Sequence, residues 1–177
     1  LNFSIIKLFL WKNGSAHYFA NFFLNKKLNS HHSFKIGANF KQMHYNLLDS
    51  LYDYSFGRFT TFANEDGHTN FFEAYVQWQY RLNDNLTFNP GLHYQQLGLN
   101  NADVIEPRLG IKWKLPGSQS LAFGYGIHSK THPLYIYFKQ TELDNGQILE
   151  TNKDIEFNKS QHFVLGYDKS FSNTLHL

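Results

Sequence analysis

An all-β fold, an antiparallel up-and-down transmembrane β-barrel, is the architecture this sequence predicts. Three observations predict it: long stretches that alternate strictly between apolar and polar residues, connections that are alternately tight and long, and aromatic residues gathered beside the tight ones.

Taken in order, residues 3–11 form a first candidate strand whose two faces are poorly distinguished, and the Lys12-Asn13-Gly14-Ser15 turn signal follows it. Residues 17–27 then set Tyr18, Ala20, Phe22 and Leu24 against His17, Phe19, Asn21, Phe23 and Asn25. After a polar turn at 29–33, Phe34, Ile36, Ala38 and Phe40 alternate with Lys35, Gly37, Asn39 and Lys41. Residues 46–68 read as the first long excursion, rich in Asp, Asn and Gly with aromatics mixed in.

The four central strands are the clearest. Phe72, Ala74, Val76, Trp78 and Tyr80 oppose Glu73, Tyr75, Gln77 and Gln79, a period of two that no helix produces. Leu86, Phe88, Pro90, Leu92 and Tyr94 oppose Thr87, Asn89, Gly91, His93 and Gln95. Ile105, Pro107, Leu109, Ile111, Trp113 and Leu115 oppose Glu106, Arg108, Gly110, Lys112 and Lys114. Leu121, Phe123, Tyr125 and Ile127 oppose Ser120, Ala122, Gly124, Gly126 and His128. Pro90 and Pro107 each remove a ladder donor, which predicts an edge or a bulge. A second long excursion, 129–160, holds a strand-like piece at 133–138 and an Asp144-Asn145-Gly146 hairpin signal. Residues 162–168 return as a strand, and 170–173 form another tight turn.

Such a sheet has one dry and one wet side, and two architectures use it. A soluble sandwich or small lipocalin-like barrel turns the dry side into a core; a membrane barrel turns it out to lipid and keeps a wet lumen. Strands of about ten residues or more match a tilted bilayer crossing and exceed the usual soluble length of about five or six. Trp78, Tyr80, Trp113 and Tyr167 stand just before tight turns, as the aromatic girdle at a membrane interface does. Short turns at 29–33, 82–85, 116–119 and 170–173 predict one end of the wall, and the long connections predict the other.

The totals agree. Over 177 residues, 18% aromatic and 42% hydrophobic content excludes a disordered chain. A mean hydropathy of −0.46 is compatible with a membrane barrel, since half of every strand is polar. Sixteen basic against 14 acidic residues, net +2, leave no electrostatic footprint for nucleic acid. Zero cysteines exclude disulfides and thiolate metal sites. Leu1 opens the chain without a signal-peptide pattern and residues 174–177 read as the start of a strand, so the expectation is one partial barrel over 1–177.

Three stretches carry a resemblance: Ile105-Glu-Pro-Arg-Leu-Gly-Ile-Lys-Trp-Lys-Leu115, Gln119-Ser-Leu-Ala-Phe-Gly-Tyr-Gly-Ile-His-Ser129 and Pro133-Leu-Tyr-Ile-Tyr-Phe138. In this order they resemble the barrel of TonB-dependent outer-membrane receptors, most closely the subgroup with a carboxypeptidase-regulatory-like domain before the plug; the rest of the chain matches in rhythm. The resemblance implies a barrel of about 22 strands around a plug. This chain would then be roughly eight or nine strands of that wall, without plug, TonB box or closing C-terminal strand. It implies an outer-membrane location and uptake of a scarce nutrient, such as a metal chelate, vitamin or oligosaccharide, into the periplasm. The implied partners are outer-membrane lipid, the receptor's own plug and, through the plug, the TonB complex. A passive porin-type barrel is the alternative that shares the wall.

Candidate lumen-facing residues are Glu73, Gln77, His93, Glu106, Arg108, Lys112 and His128. Glu106 and Arg108, two apart on one strand, share a face as part of a charged wall. Gly110, Gly124 and Gly126 on the same face would let another backbone approach closely. The ten histidines are scattered, and the adjacent pair His31-His32 points to opposite sides if extended, so no metal site or cofactor is expected. With no phosphate loop, nucleophile elbow or paired carboxylates, the expected role is not enzymatic.

Overall fold

Period-two alternation folds into the expected sheet. The computed structural model describes residues 17–53, 58–143, 145–172 and 175–176; over 48–53, 58–64, 142, 172 and 175–176 it describes the backbone alone. The candidate strand at 3–11 and the turn at 12–15 lie outside the described residues. Strands β1 (His17–Lys27), β2 (His32–Asp53), β3 (Arg58–Arg81), β4 (Leu86–Leu97), β5 (Asp103–Leu115) and β6 (Gln119–Lys130) follow one another. Helix α1 (Leu134–Tyr137) and the small hairpin β7 (Gln140–Glu142) and β8 (Ile148–Glu150) come next, then β9 (Asn158–Ser172) and β10 (Leu175–His176). The order in the main sheet is β1-β2-β3-β4-β5-β6-β9-β10, antiparallel between neighbours, so each strand lies beside the one before it apart from the β7–β8 excursion. Among the described residues β1 and β10 do not meet, and the sheet is open.

Register carries the dry face across the sheet. Phe34, Ile36, Ala38 and Phe40 of β2 pair with Trp78, Val76, Ala74 and Phe72 of β3. Further along, Phe88 pairs with Ile111, Ile111 with Phe123 and Phe123 with Leu165. No second layer covers that face among the described residues. Leu165 is 79% exposed, Phe163 68% and Trp113 51%, and Phe72, Val76, Leu92, Ile105 and Phe123 are exposed as well. A sandwich core would have hidden these side chains at about 25 cal/mol per Å².

The buried core lies on the other face. Leu97 and Val104, in strand positions that alternate with apolar outward residues, are buried together with Tyr137, Phe138 and Phe157 of the 131–157 segment. Around them pack Met43, Tyr45, Leu47, Phe71, Leu99, Ala102 and Ile155. The polar face therefore becomes apolar toward the long-connection end.

Tight turns close by side-chain capping. Asn29 Oδ1 accepts from the N–H groups of His31 and His32 at 2.9 Å each, and Asn83 Oδ1 does the same for Asn85 and Leu86. Residues 116–118 turn with Gly117 at φ +78° and Ser118 at φ +55°. The tight turn expected at 170–173 is not found at 170–172, where β9 continues to Ser172, and residues 173–174 lie outside the described residues.

Two further sequence expectations are corrected. Residues 46–68 are mostly not an excursion: β2 runs 22 residues and β3 24, with a register shift at Asp49/Ser50. Residues 133–138 are not a strand but hold a helical turn, which Pro133 enters with φ −56°. The Asp144-Asn145-Gly146 signal does mark a hairpin, β7–β8, with Gly146 at φ +78°.

Neither proline shifts the register. Between Gln77↔Gly91 and Tyr80↔Phe88 the β3–β4 ladder skips the pairs around Pro90 and resumes in phase. Pro107 pairs with Leu92 of β4, but toward β6 the β5 ladder stops at Arg108↔Gly126. A proline has no N–H to give on that side, which explains the stop.

Candidate functional site

Where that ladder stops, β6 keeps backbone groups that need partners, and the polar face supplies them. Ser129 N–H donates to Glu106 Oε1, and Ser129 C=O accepts from Gln95 Nε2 at 3.3 Å. Gln95 Nε2 also donates to Glu106 Oε1 at 2.6 Å. The second carboxylate oxygen accepts from the Arg108 guanidinium at 2.7 Å and from His93 Nδ1 at 2.8 Å. Glu106 is 0% exposed, and a buried carboxylate is tolerable only with such a complete set of donors. Because a carboxylate only accepts, His93 must carry its proton on Nδ1, which leaves Nε2 facing Glu73 Oε1 at 3.7 Å. Asn39 Nδ2 donates to Glu73 Oε2 at 3.4 Å, so the chain of contacts spans β2 to β6.

Of the seven residues singled out on this face, four meet directly: Glu73, His93, Glu106 and Arg108. His128 stands at the margin, where a Cβ built on Gly126 would lie 3.1 Å from His128 Nε2 and 3.5 Å from Arg108 Cγ. Its ring also meets His162 edge-on at 4.9 Å. Gln77 lines an adjoining hollow of about 350 Å³ with Asn39, Tyr75, Asn89, Gly91 and Arg108. Lys112 lies apart, in register with Thr87 and Ala122. Gln95, Asn39 and Ser129 belong to the network but were not anticipated. For Gln95 the available signal was its place two residues after His93 on the same face.

Toward the long-connection end the same face is covered. Phe138 packs on Tyr45 at 5.0 Å between ring centres, and Phe157 on Phe71 at 6.3 Å. Asn100, between β4 and β5, donates from Nδ2 to the carbonyls of Lys153 (3.1 Å) and Ile155 (3.0 Å), while its Oδ1 accepts from Ala102 N–H. Tyr137 Oη accepts from His132 N–H at 3.2 Å. Burial raises the Tyr137 hydroxyl above its usual value, with the His132 hydrogen bond acting the other way. Two hollows of about 390 and 400 Å³ lie beside the start of this segment and share Lys41, Met43 and Thr131.

On the dry face, beside the tight turns, Trp78 stacks on Phe34 (5.9 Å), His32 (5.7 Å) and Tyr80 (5.3 Å), and donates from Nε1 to His32 Nδ1 at 3.2 Å. Tyr167 donates its hydroxyl to Gln119 Oε1 at 2.6 Å. In the neighbouring row Leu121 pairs with both Trp113 and Tyr167. His31 Nδ1 meets Arg81 C=O at 2.7 Å, so both members of the adjacent histidine pair have structural partners. No group of three metal-ligating side chains occurs among the described residues.

The search of curated proteins returned no match. A family model described as "TonB dependent receptor-like, beta-barrel" matches residues 9–174, which is nearly the whole chain. With an open up-and-down sheet, one face apolar and bare and the other polar and networked, the chain belongs to the TonB-dependent receptor-like β-barrel family and forms barrel wall of such a receptor.

Proposed function

We propose that this wall stands in the outer membrane with its dry face in lipid and its polar face toward the lumen, and that the receptor takes up a scarce nutrient into the periplasm. Family members are transporters rather than enzymes. The observation that carries the reading is the uninterrupted exposed apolar face, from Phe72 through Ile105 and Trp113 to Leu165, opposite the Glu106 network. Lipid is the solvent in which such a face is stable, and strands laddered side by side satisfy their backbone groups with one another there. Trp78, Tyr80, Trp113 and Tyr167 then form the interface girdle on the periplasmic side. Glu73, Gln77, His93, Glu106, Arg108, Lys112 and His128 line the lumen, where Arg108 and the Gln77 hollow meet the plug or a passing solute. The cargo is a metal chelate, vitamin or oligosaccharide, and the TonB complex acts through the plug.

Two measurements on the full-length gene product test this. Carbonate-washed membranes should retain it until detergent is added; release by carbonate alone refutes the membrane reading. Cells carrying the gene should accumulate a radiolabelled ferric chelate, cobalamin or maltooligosaccharide, and should stop when the proton gradient is dissipated. Accumulation indifferent to the gradient would instead indicate a passive pore.

A further inference from the structure

A long connection at the outer end of a receptor barrel has two options: to stand in water as a flap that ligand moves, or to fold inside as a fixed part of the passage. The 131–157 segment carries the signature of the second. Its large side chains Tyr137 and Phe138 are 1% and 3% exposed, and they are buried in one cluster with strand positions that point to the polar face. Those strand positions are themselves apolar: Met43, Tyr45 and Leu47 on β2, Phe71 on β3, Leu97 on β4 and Val104 on β5. Apolar side chains on a wet lumen wall are costly unless something covers them, so wall and segment are matched to each other.

Both ends of the segment are also fastened by polar contacts. Just before it, Ser129 is held through its N–H and C=O by Glu106 and Gln95. Near its close, Asn100 holds two carbonyl acceptors two residues apart, those of Lys153 and Ile155.

We infer that residues 131–139 and 155–157 form a fixed shelf inside the lumen, which leaves a cleft for a crossing solute between the shelf and β1–β3. This rests on the receptor reading above. The cleft is where the two hollows meet, with Thr131 on the shelf side and Lys41 and Met43 on the wall. Glu73 and Asn39 lie at its lower end. A solute there meets an ammonium, a carboxylate, an amide and a hydroxyl beside Phe19, Met43 and Phe71, so the cleft suits cargo that joins hydrogen-bonding groups to apolar surface.

Hydrogen exchange on the full-length receptor in native outer-membrane vesicles, with no ligand added, tests the shelf. Amides at 132–139 and 155–157 should exchange at least about a hundredfold more slowly than those at 151–154 of the same segment, as packed local structure does relative to exposed turns. Asn100→Ala should accelerate 155–157 at least about tenfold while leaving strand amides at 162–168 unchanged. Equal rates across 131–157 in membrane-retained protein overturn the shelf alone. Release of the protein by carbonate from the same vesicles overturns the receptor reading and the shelf with it.

Discussion

Replacing Glu106 isolates what the network contributes, because the size of the loss depends on which donors can find water. In Glu106→Ala all of its acceptor contacts vanish and the Gln95 and Ser129 donors are left unpaired away from water, so the loss should be roughly 2–5 kcal/mol, about 1–3 for each orphaned donor. Glu106→Gln is gentler. The amide oxygen keeps the Gln95 and Ser129 donors, which are the ones without access to water, and the amide NH₂ turns toward His93 and Arg108. His93 can respond by moving its proton to Nε2, donating to Glu73 and accepting from the new amide at Nδ1. Arg108, 42% exposed at its side chain, turns to water. What remains is one charge-assisted hydrogen bond, about 1.5–3 kcal/mol. Urea unfolding in lipid vesicles, followed by tryptophan fluorescence, reads both losses. Pairing Glu106→Gln with Arg108→Met should cost less than the two singles added together by about 1 kcal/mol. A loss under about 1 kcal/mol for Glu106→Ala, or equal losses for Ala and Gln, would refute this account of the carboxylate.

Other substitutions probe other parts of the wall. Leu165→Arg places a charge on the most exposed large apolar side chain among the described residues and should cost about 2–4 kcal/mol if it lies near the bilayer midplane, read by the same urea titration; no loss or a gain in stability would argue that the face meets water. Gly37→Ala should cost about 1–3 kcal/mol, because a Cβ there would stand 2.5 Å from the Tyr75 ring that lies across it; unchanged unfolding would mean the ring shifts freely. Tyr137 gives a pH dependence. Its folded value is raised, so its contribution is complete below the ordinary 10.0 and is lost as pH climbs through the raised value. Tyrosinate absorbance titrated in folded receptor should therefore show a late component that Tyr137→Phe diminishes; a late component unchanged in the variant would assign all of it to other tyrosines.

The sheet was legible in the sequence wherever one side of a strand meets a dry medium and the other a wet one. Residues 72–80, 86–95, 105–115 and 120–128 alternate for that reason, and their faces and register direction follow from it. Where both sides of a strand meet similar surroundings the signal fails. Residues 64–68, Asn-Glu-Asp-Gly-His, are polar on both faces and read as a loop, yet β3 runs through them, paired in register with 44–48 of β2. The covered patch was hidden for a different reason. Met43, Tyr45, Leu47, Phe71, Leu97 and Val104 occupy wet-face positions, and only their distant partners Tyr137, Phe138 and Phe157 explain them. Pairing at such separation leaves no trace in local periodicity. Of the polar site, Glu106 and Arg108 could be placed on one face by spacing alone. The role of Glu106 as acceptor for a β6 amide required knowing that Pro107 stops the ladder beside it.

That interrupted ladder gives the wall a place of mechanical weakness. Above Arg108 the join to β6 is carried by the Glu106 carboxylate of β5 and the Gln95 amide of β4 in place of repeating backbone rungs, whereas β4–β5 and β6–β9 stay fully laddered on either side. Lateral tension at that height concentrates on two side chains, so the wall would part here more readily than at the laddered joins beside it.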